Sequence, residues 1–178
     1  KAAPTLLNDS LFPSYTLFPV ESSDEIFYLD EDAQFFAERA VYEKSILQKN
    51  VKGLVKAIFD HSDHGMLYRN SANTTANTTF NNRAANCLSL SIMTYALAEH
   101  VGLNATFYEV EIPEYWTRRE GYSLLNGHIN LRLSLPNESP VAAVGGTWAD
   151  VDFDPQMLRN YFPRNAVSKN KVIAMYYN

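Results

Sequence analysis

Asn86-Cys87-Leu88-Ser89-Leu90-Ser91-Ile92-Met93-Thr94-Tyr95-Ala96-Leu97-Ala98-Glu99-His100-Val101-Gly102 is the stretch on which the fold turns. Leu88, Ile92 and Tyr95 form one apolar row that Glu99 interrupts a turn later, while Leu90, Met93, Leu97 and Val101 form a second. Two such rows predict a helix buried on most sides, with Gly102 as its C-terminal stop. Cys87 opens this helix and is the only cysteine in the chain. A lone cysteine cannot form an intramolecular disulfide, so either packing or reactivity must explain it. At the first turn of a helix a thiol meets the partial positive charge of unpaired N–H groups, which favours thiolate. Free cysteines are nonetheless among the most buried residues, so position alone leaves packing in play.

Upstream, residues 1–20 carry Pro4, Pro13 and Pro19 among apolar side chains and read as an extended arm. Ser22 and Glu25 have capping-box spacing ahead of Ile26-Phe27-Tyr28-Leu29. A second helix is expected from about Ala33 to Gln48, and a third over Val51, Leu54, Val55, Ile58 and Phe59, ending near Asp60. From Asn70 to Asn86 the chain is Asn, Thr, Ser and Ala without a period, which reads as a long surface loop. Asp60-His61-Ser62-Asp63-His64-Gly65 gathers metal-ligand types, but Ser71 stands where an EF-hand needs its bidentate Glu. It reads as a polar turn.

Downstream of Gly102 the period changes from 3.6 to 2. Tyr108, Val110 and Ile112 alternate with Phe107, Glu109 and Glu111 as in a strand. In His128-Ile129-Asn130-Leu131-Arg132-Leu133-Ser134-Leu135 the even positions are polar and the odd ones aliphatic. His128 therefore shares a face with Asn130 and Arg132. Thr147-Trp148-Ala149-Asp150-Val151-Asp152-Phe153 places Trp148, Asp150 and Asp152 on one side of a third strand. Glu114-Tyr115-Trp116-Thr117-Arg118-Arg119 reads as a loop between strands, either a rim or the lining of a substrate groove. Asp154-Pro155 has the form of a helix start, and Val172 to Tyr177 that of a short last strand.

A chain of 178 residues with 46% hydrophobic content can bury an ample core, and a net charge of -5 argues against a nucleic-acid partner. No apolar run approaches the roughly 18 residues of a membrane span. Lys1-Ala2-Ala3-Pro4-Thr5 does not begin a signal peptide, and the opening on Lys1 rather than Met points to a trimmed chain. Sequons at Asn8, Asn73, Asn77, Asn104 and Asn137 arise readily in a chain so rich in Asn and Thr. An unpaired thiol suits a reducing cytosol or a secreted thiol enzyme, so the compartment stays open.

Helices, then a buried helix led by Cys, then antiparallel strands carrying His and Asp form an order that suits a thiol catalyst. A thiolate attacks a carbonyl carbon, an imidazole exchanges protons with it and with the leaving group, and a carboxylate or amide orients the imidazole. Sequence order alone is weak, because four histidines and many acids supply such an order by chance.

Asn86-Cys87-Leu88-Ser89-Leu90-Ser91, with Tyr95-Ala96-Leu97-Ala98-Glu99-His100-Val101-Gly102-Leu103-Asn104-Ala105, resembles the core of the transglutaminase-like superfamily. In that family a Cys opens a helix that closes on an Ala-Leu-Ala, Gly-Leu-x-Ala signature. Leu125-Asn126-Gly127-His128-Ile129-Asn130 is similar to its His-bearing strand, and Trp148-Ala149-Asp150-Val151-Asp152-Phe153-Asp154-Pro155 to its Trp-x-x-x-Asp strand. The resemblance covers roughly residues 50–178 and is nearest to bacterial transglutaminase-like domains that precede tetratricopeptide repeats. Ala85-Asn86 departs from the family, many of whose members carry Gly shortly before the Cys.

The resemblance implies a papain-like α+β fold, with N-terminal helices and a Cys-bearing helix packed on an antiparallel sheet. It implies residues 1–50 as an arm and helices laid on a core of residues 51–178, in one compact unit. Carried over, the nucleophile falls on Cys87, the base on His128 and the orienting acid on Asp152, selected over Asp150 by the spacing after Trp148. The Cys87 N–H is a natural oxyanion donor, with Tyr68 a candidate for the second, although packing in the core is the commoner role for such a tyrosine. No cofactor or metal is implied. The implied function is acyl transfer or hydrolysis at an amide of a protein or peptide, in the bacterial cell envelope or periplasm ahead of the cytoplasm. Downstream repeats would be partners outside this chain. The alternative is a peptide-binding module that keeps the fold without the chemistry.

Overall fold

The computed structural model describes residues 11, 14, 17, 20–42, 47–63, 67–68, 73–119, 122–136, 148–153 and 162–178. Of these, 42, 47–50, 62–63, 67–68, 84, 114–119 and 122–126 are described by their backbone alone. The architecture is α+β, with six helices and a four-stranded antiparallel sheet among the described residues. The helices are α1 (Ser23–Phe27), α2 (Glu31–Tyr42), α3 (Leu47–Asp63), α4 (Ala76–Asn82), α5 (Cys87–His100) and α6 (Lys169–Tyr176). The sheet orders β5 (Trp148–Val151), β4 (Tyr122–Ser134), β3 (Asn104–Arg119) and β6 (Arg164–Val167) side by side. A second, small pairing joins β1 (Leu67–Tyr68) to β2 (Ala84–Ala85) in parallel. No helix among the described residues is long and apolar enough to cross a membrane.

Local chemistry accounts for most helix ends. Ser22 and Glu25 form the expected capping box, the Ser22 N–H donating to the Glu25 carboxylate at 2.7 Å. Asp30 accepts from the Ala33 N–H at 2.9 Å, which starts α2 two residues earlier than the apolar period suggests. α5 ends as read, with Gly102 at φ +74, a conformation open to Gly at little cost.

Helix α5 is the structural axis. Ile92, Leu97 and Ala98 have no exposure, and Tyr95 stacks on Phe107 of β3 with ring centroids 4.7 Å apart. Ile129, Leu131 and Leu133 of β4 and Val151 of β5, all odd-numbered, are buried in the same cluster as α5. The alternation that defined the strand from sequence is therefore the alternation that packs it on the Cys helix.

Three expectations fail, and one strand has no counterpart in the sequence reading. Residues 76–82 form α4 rather than loop. Thr75 caps it by accepting from the Thr78 N–H at 3.3 Å, and Thr79 and Phe80 are buried, so tertiary packing overrides the poor propensity of Asn and Thr. Val172 and Tyr176 are buried on one face of a helix, α6, capped by Ser168, rather than in a strand. Residues 114–119 belong to β3, pairing with β4 as a continuation of the hairpin. The edge strand β6 has no alternating apolar pattern, being only partly shielded along its length, and was not expected. Asp154-Pro155 lies outside the described residues, as does nearly all of the N-terminal arm.

Candidate active site

The site is built upward from the start of α5. Asn86 is the helix N-cap, its side-chain oxygen accepting from the Ser89 N–H at 2.8 Å. Its amide donates to Asn73 Oδ1 at 2.8 Å, and the Asn73 amide donates to the Tyr176 carbonyl of α6 at 2.7 Å. The buried Ser89 hydroxyl accepts from the Thr74 N–H at 2.9 Å. This chain of side-chain bonds fixes the first turn from below, where an unheld helix end would fray. Cys87 is the first residue of that turn and stays partly exposed. The parallel pairing of Tyr68 with Ala85 places the β1 backbone beside the approach to Cys87. The Tyr68 side chain, a candidate oxyanion donor, lies outside the described residues.

His128 comes to Cys87 from β4. It pairs with Val110 in the last register position before an irregularity, where four residues of β3, Glu111 to Glu114, stand opposite one of β4, Gly127. Such breaks re-aim side chains next to functional sites. His128 is only 6% exposed, and its Nε2 stands 2.9 Å from each carboxylate oxygen of Asp152. That leaves Nδ1 as the ring nitrogen not engaged by Asp152, and Cys87 lies close enough to His128 to act on its titration. Burial by itself pushes His128 down. The bond to Asp152 with its negative charge, together with the influence of Cys87, outweighs it and lifts the pKa from 6.5 to about 9. At neutral pH the ring is thus protonated, an imidazolium beside the Asp152 carboxylate.

Asn130, two residues along the same face, donates to Asp152 Oδ2 at 3.4 Å and is itself buried. Among the described residues its Oδ1 has no hydrogen-bond partner. Asp150, the other acid on this strand face, turns to cations instead. It accepts from Arg132 Nε at 2.8 Å and from Arg164 Nη2 at 2.9 Å. Burial raises its pKa, and the two guanidiniums more than reverse that, so the carboxyl is held below its ordinary range.

The structure therefore brings together Cys87, His128 and Asp152. It keeps Asp150 apart from His128. The remaining histidines lie elsewhere: His61 sits in α3, stacked on Phe80 at 4.7 Å, and His100 meets Glu38 at 2.9 Å. His64 lies outside the described residues. No group of three or more metal-ligating side chains occurs among the described residues. The Glu114–Arg119 side chains, proposed as rim or groove, also lie outside the description.

Sequence reading missed two contributors. Asn86 carried a usable signal, since Asn immediately before an apolar-periodic run is a cap signature. Arg164 carried none, because nothing local marks β6 as a neighbour of β3.

No protein-family model and no curated protein matches the chain. Among solved structures, a proposed cysteine protease from Cytophaga hutchinsonii has a similar fold, with a TM-score of 0.51 and 16% identity. The similarity covers 94% of this chain and 50% of that one, so the chain spans half the length of the protein it resembles. The class defined by the fold is an α+β one, shared with this cysteine-protease-like neighbour.

Proposed function

We propose that the chain is a cysteine-dependent hydrolase of transglutaminase-like type, acting on an amide bond of a protein or peptide. Cys87 is the nucleophile, His128 the acid and base, and Asp152 the orienting acid. The observation that carries this reading is the buried His128 ring, bonded to Asp152 through Nε2 at 2.9 Å and near enough to Cys87 at the start of α5 to be influenced by it. The protease-like fold of the Cytophaga protein supports it at the level of class.

In the reaction, the Cys87 sulfur bonds to the substrate carbonyl carbon and the carbonyl π pair moves to oxygen. The N–H groups of the first α5 turn are the natural donors to that oxyanion. The oxyanion collapses, the C–N bond breaks, and the departing amine takes the proton of the imidazolium, leaving a thioester. Water then gives a proton to neutral His128 as its oxygen attacks the thioester carbon. A second collapse releases the acid and the thiolate, and the ion pair is restored. An amine in place of water gives crosslinking by the same steps. Water is the proposed acceptor.

The test is turnover of amide and glutamine-containing peptides, read by product mass. Hydrolysis adds water to the acyl fragment, whereas transfer adds the amine. Cys87→Ala is expected to abolish turnover while leaving the folded fraction unchanged. Iodoacetamide labelling across pH is the second arm. If Cys87 alkylates no faster than an ordinary thiol of pKa about 8.5, the catalytic reading fails and a binding module remains.

A further inference from the structure

The β4/β5 ladder has four residue pairs and ends at Leu131 opposite Val151. Asp152 is thus one residue beyond the last backbone pair, and the ladder does not itself fix it. Two anchors flank it. On the core side, Val151 is fully buried, and the Phe153 ring meets Phe59 of α3 with centroids 5.4 Å apart.

On the other side stands Asp150. Arg132 grips it with Nε on Oδ1 at 2.8 Å and Nη2 on Oδ2 at 3.0 Å. Arg164 Nη2 reaches the same two oxygens at 3.1 and 2.9 Å. Arg132 belongs to the neighbouring strand β4, but Arg164 belongs to β6, at the far edge of the sheet. Rings fill the span between them. The Arg132 guanidinium lies 4.1 Å from the Trp148 ring, and that of Arg164 lies 4.5 Å from the ring of Tyr108 on β3. Each of the four strands therefore supplies a side chain to one network centred on Asp150.

A planar guanidinium fork on a carboxylate restricts geometry more than it adds stability, and partly exposed ion pairs contribute little to folding. The network's consequence is then positional. We infer that Asp150 is a positioning residue: clamped by Arg132 and Arg164, it fixes the edge strand β5 so that Asp152, two residues on, meets His128. The inference rests on the proposed roles of Cys87, His128 and Asp152.

The test compares the full chain with Asp150→Asn, which keeps the side-chain size and removes the charge between the two guanidiniums. The readouts are the pH titration of His128 by proton NMR and amide turnover. Asp150→Asn is expected to move the His128 midpoint down from about 9 towards 6.5. It is also expected to lower kcat by about 100-fold, as sub-ångström misplacement does, with KM little changed. Asp150→Glu, which keeps the carboxylate, should recover most of both. Val51→Ala, a cavity variant in α3, is the control: it should lower Tm and leave the His128 midpoint in place.

An Asp150→Asn protein that loses Tm as the control does, with the His128 midpoint unmoved, overturns the inference. If that variant does not fold, Arg132→Lys keeps the charge and loses the fork of Nε and Nη2 on the carboxylate, and the same two outcomes apply to it. The titration needs no substrate, so the two readings fail separately. A moved midpoint supports the clamp even in a chain that turns over no amide. An unmoved midpoint in a chain whose turnover depends on Cys87 removes the clamp alone.

Discussion

The two faces of the four-stranded sheet are built from alternate residues of the same strands, yet different forces hold them. On one face Phe107, Leu131, Leu133 and Val151 are fully or almost fully buried against α5. On the other lie Tyr108, His128, Asn130, Arg132, Asp150 and Asp152, joined by hydrogen bonds and ion pairs. Neighbours such as Val151 and Asp152, one peptide bond apart, therefore belong to different problems. Burial of the first kind is non-directional and tolerates small shifts, whereas the second kind depends on placement to within a fraction of an ångström. Stability should reside on the aliphatic face and chemistry on the polar one.

The sharpest way to break this contrast is His128→Ala. If the proposed roles hold, turnover should fall by about 10³-fold or more, in the range of lost acid–base catalysis. The variant should remain folded, since the face that packs on α5 is untouched. Turnover within tenfold of the parent would remove His128 from the mechanism.

Leu131→Ala is the mirror experiment. With Leu131 at 0% exposure, the loss should be about 3 kcal/mol of unfolding free energy, within the usual span for buried Leu. At a temperature where the variant is still folded, kcat should match the parent. A parallel loss in kcat would mean that the two faces are mechanically coupled.

The pH dependence of stability separates the faces without mutation. The folded-state pKa of His128 is raised from 6.5 to about 9, so its contribution is fully present below pH 6.5. It is lost as pH rises through about 9. Urea unfolding should show stability declining across that window by up to about 3 kcal/mol, the sense expected when the native state binds the extra proton. Leu131→Ala should keep that slope, and His128→Ala should flatten it.

How much of this was legible depends on whether the cause was local. The Cys87 helix could be read because its double apolar row is a property of consecutive residues. The faces of β4 and β5 could be read because strand alternation is too. Helix α4 could not, because burial of Thr79 and Phe80 comes from residues far along the chain, and Val172 to Tyr177 looked like a strand because only its packing partners show which side is buried. In the site, the shared face of His128 and Asn130 followed from alternation. The contact of His128 with Asp152, and the diversion of Asp150 to Arg164, required the strand order. Asn73, read as one more chance sequon, is a strut whose amide is already committed to Tyr176.

Asn130 supplies the smallest effect and the finest division between the faces. It is 7% exposed, its bond to Asp152 is long at 3.4 Å, and its Oδ1 is unpartnered among the described residues. A buried acceptor without a donor costs about 1–3 kcal/mol, more than so long a bond returns. Asn130→Leu, close in shape, removes that cost together with the bond. Its unfolding free energy should equal the parent's or exceed it by about 1 kcal/mol. Asp152, deprived of a donor on Oδ2, should hold His128 less well, and kcat should drop by about tenfold, the equivalent of 1.4 kcal/mol of barrier. A polar residue whose loss raises Tm and lowers kcat is retained for placement rather than folding. If both quantities fall together, Asn130 is part of the packing, and the division between the two faces ends one residue short of the site.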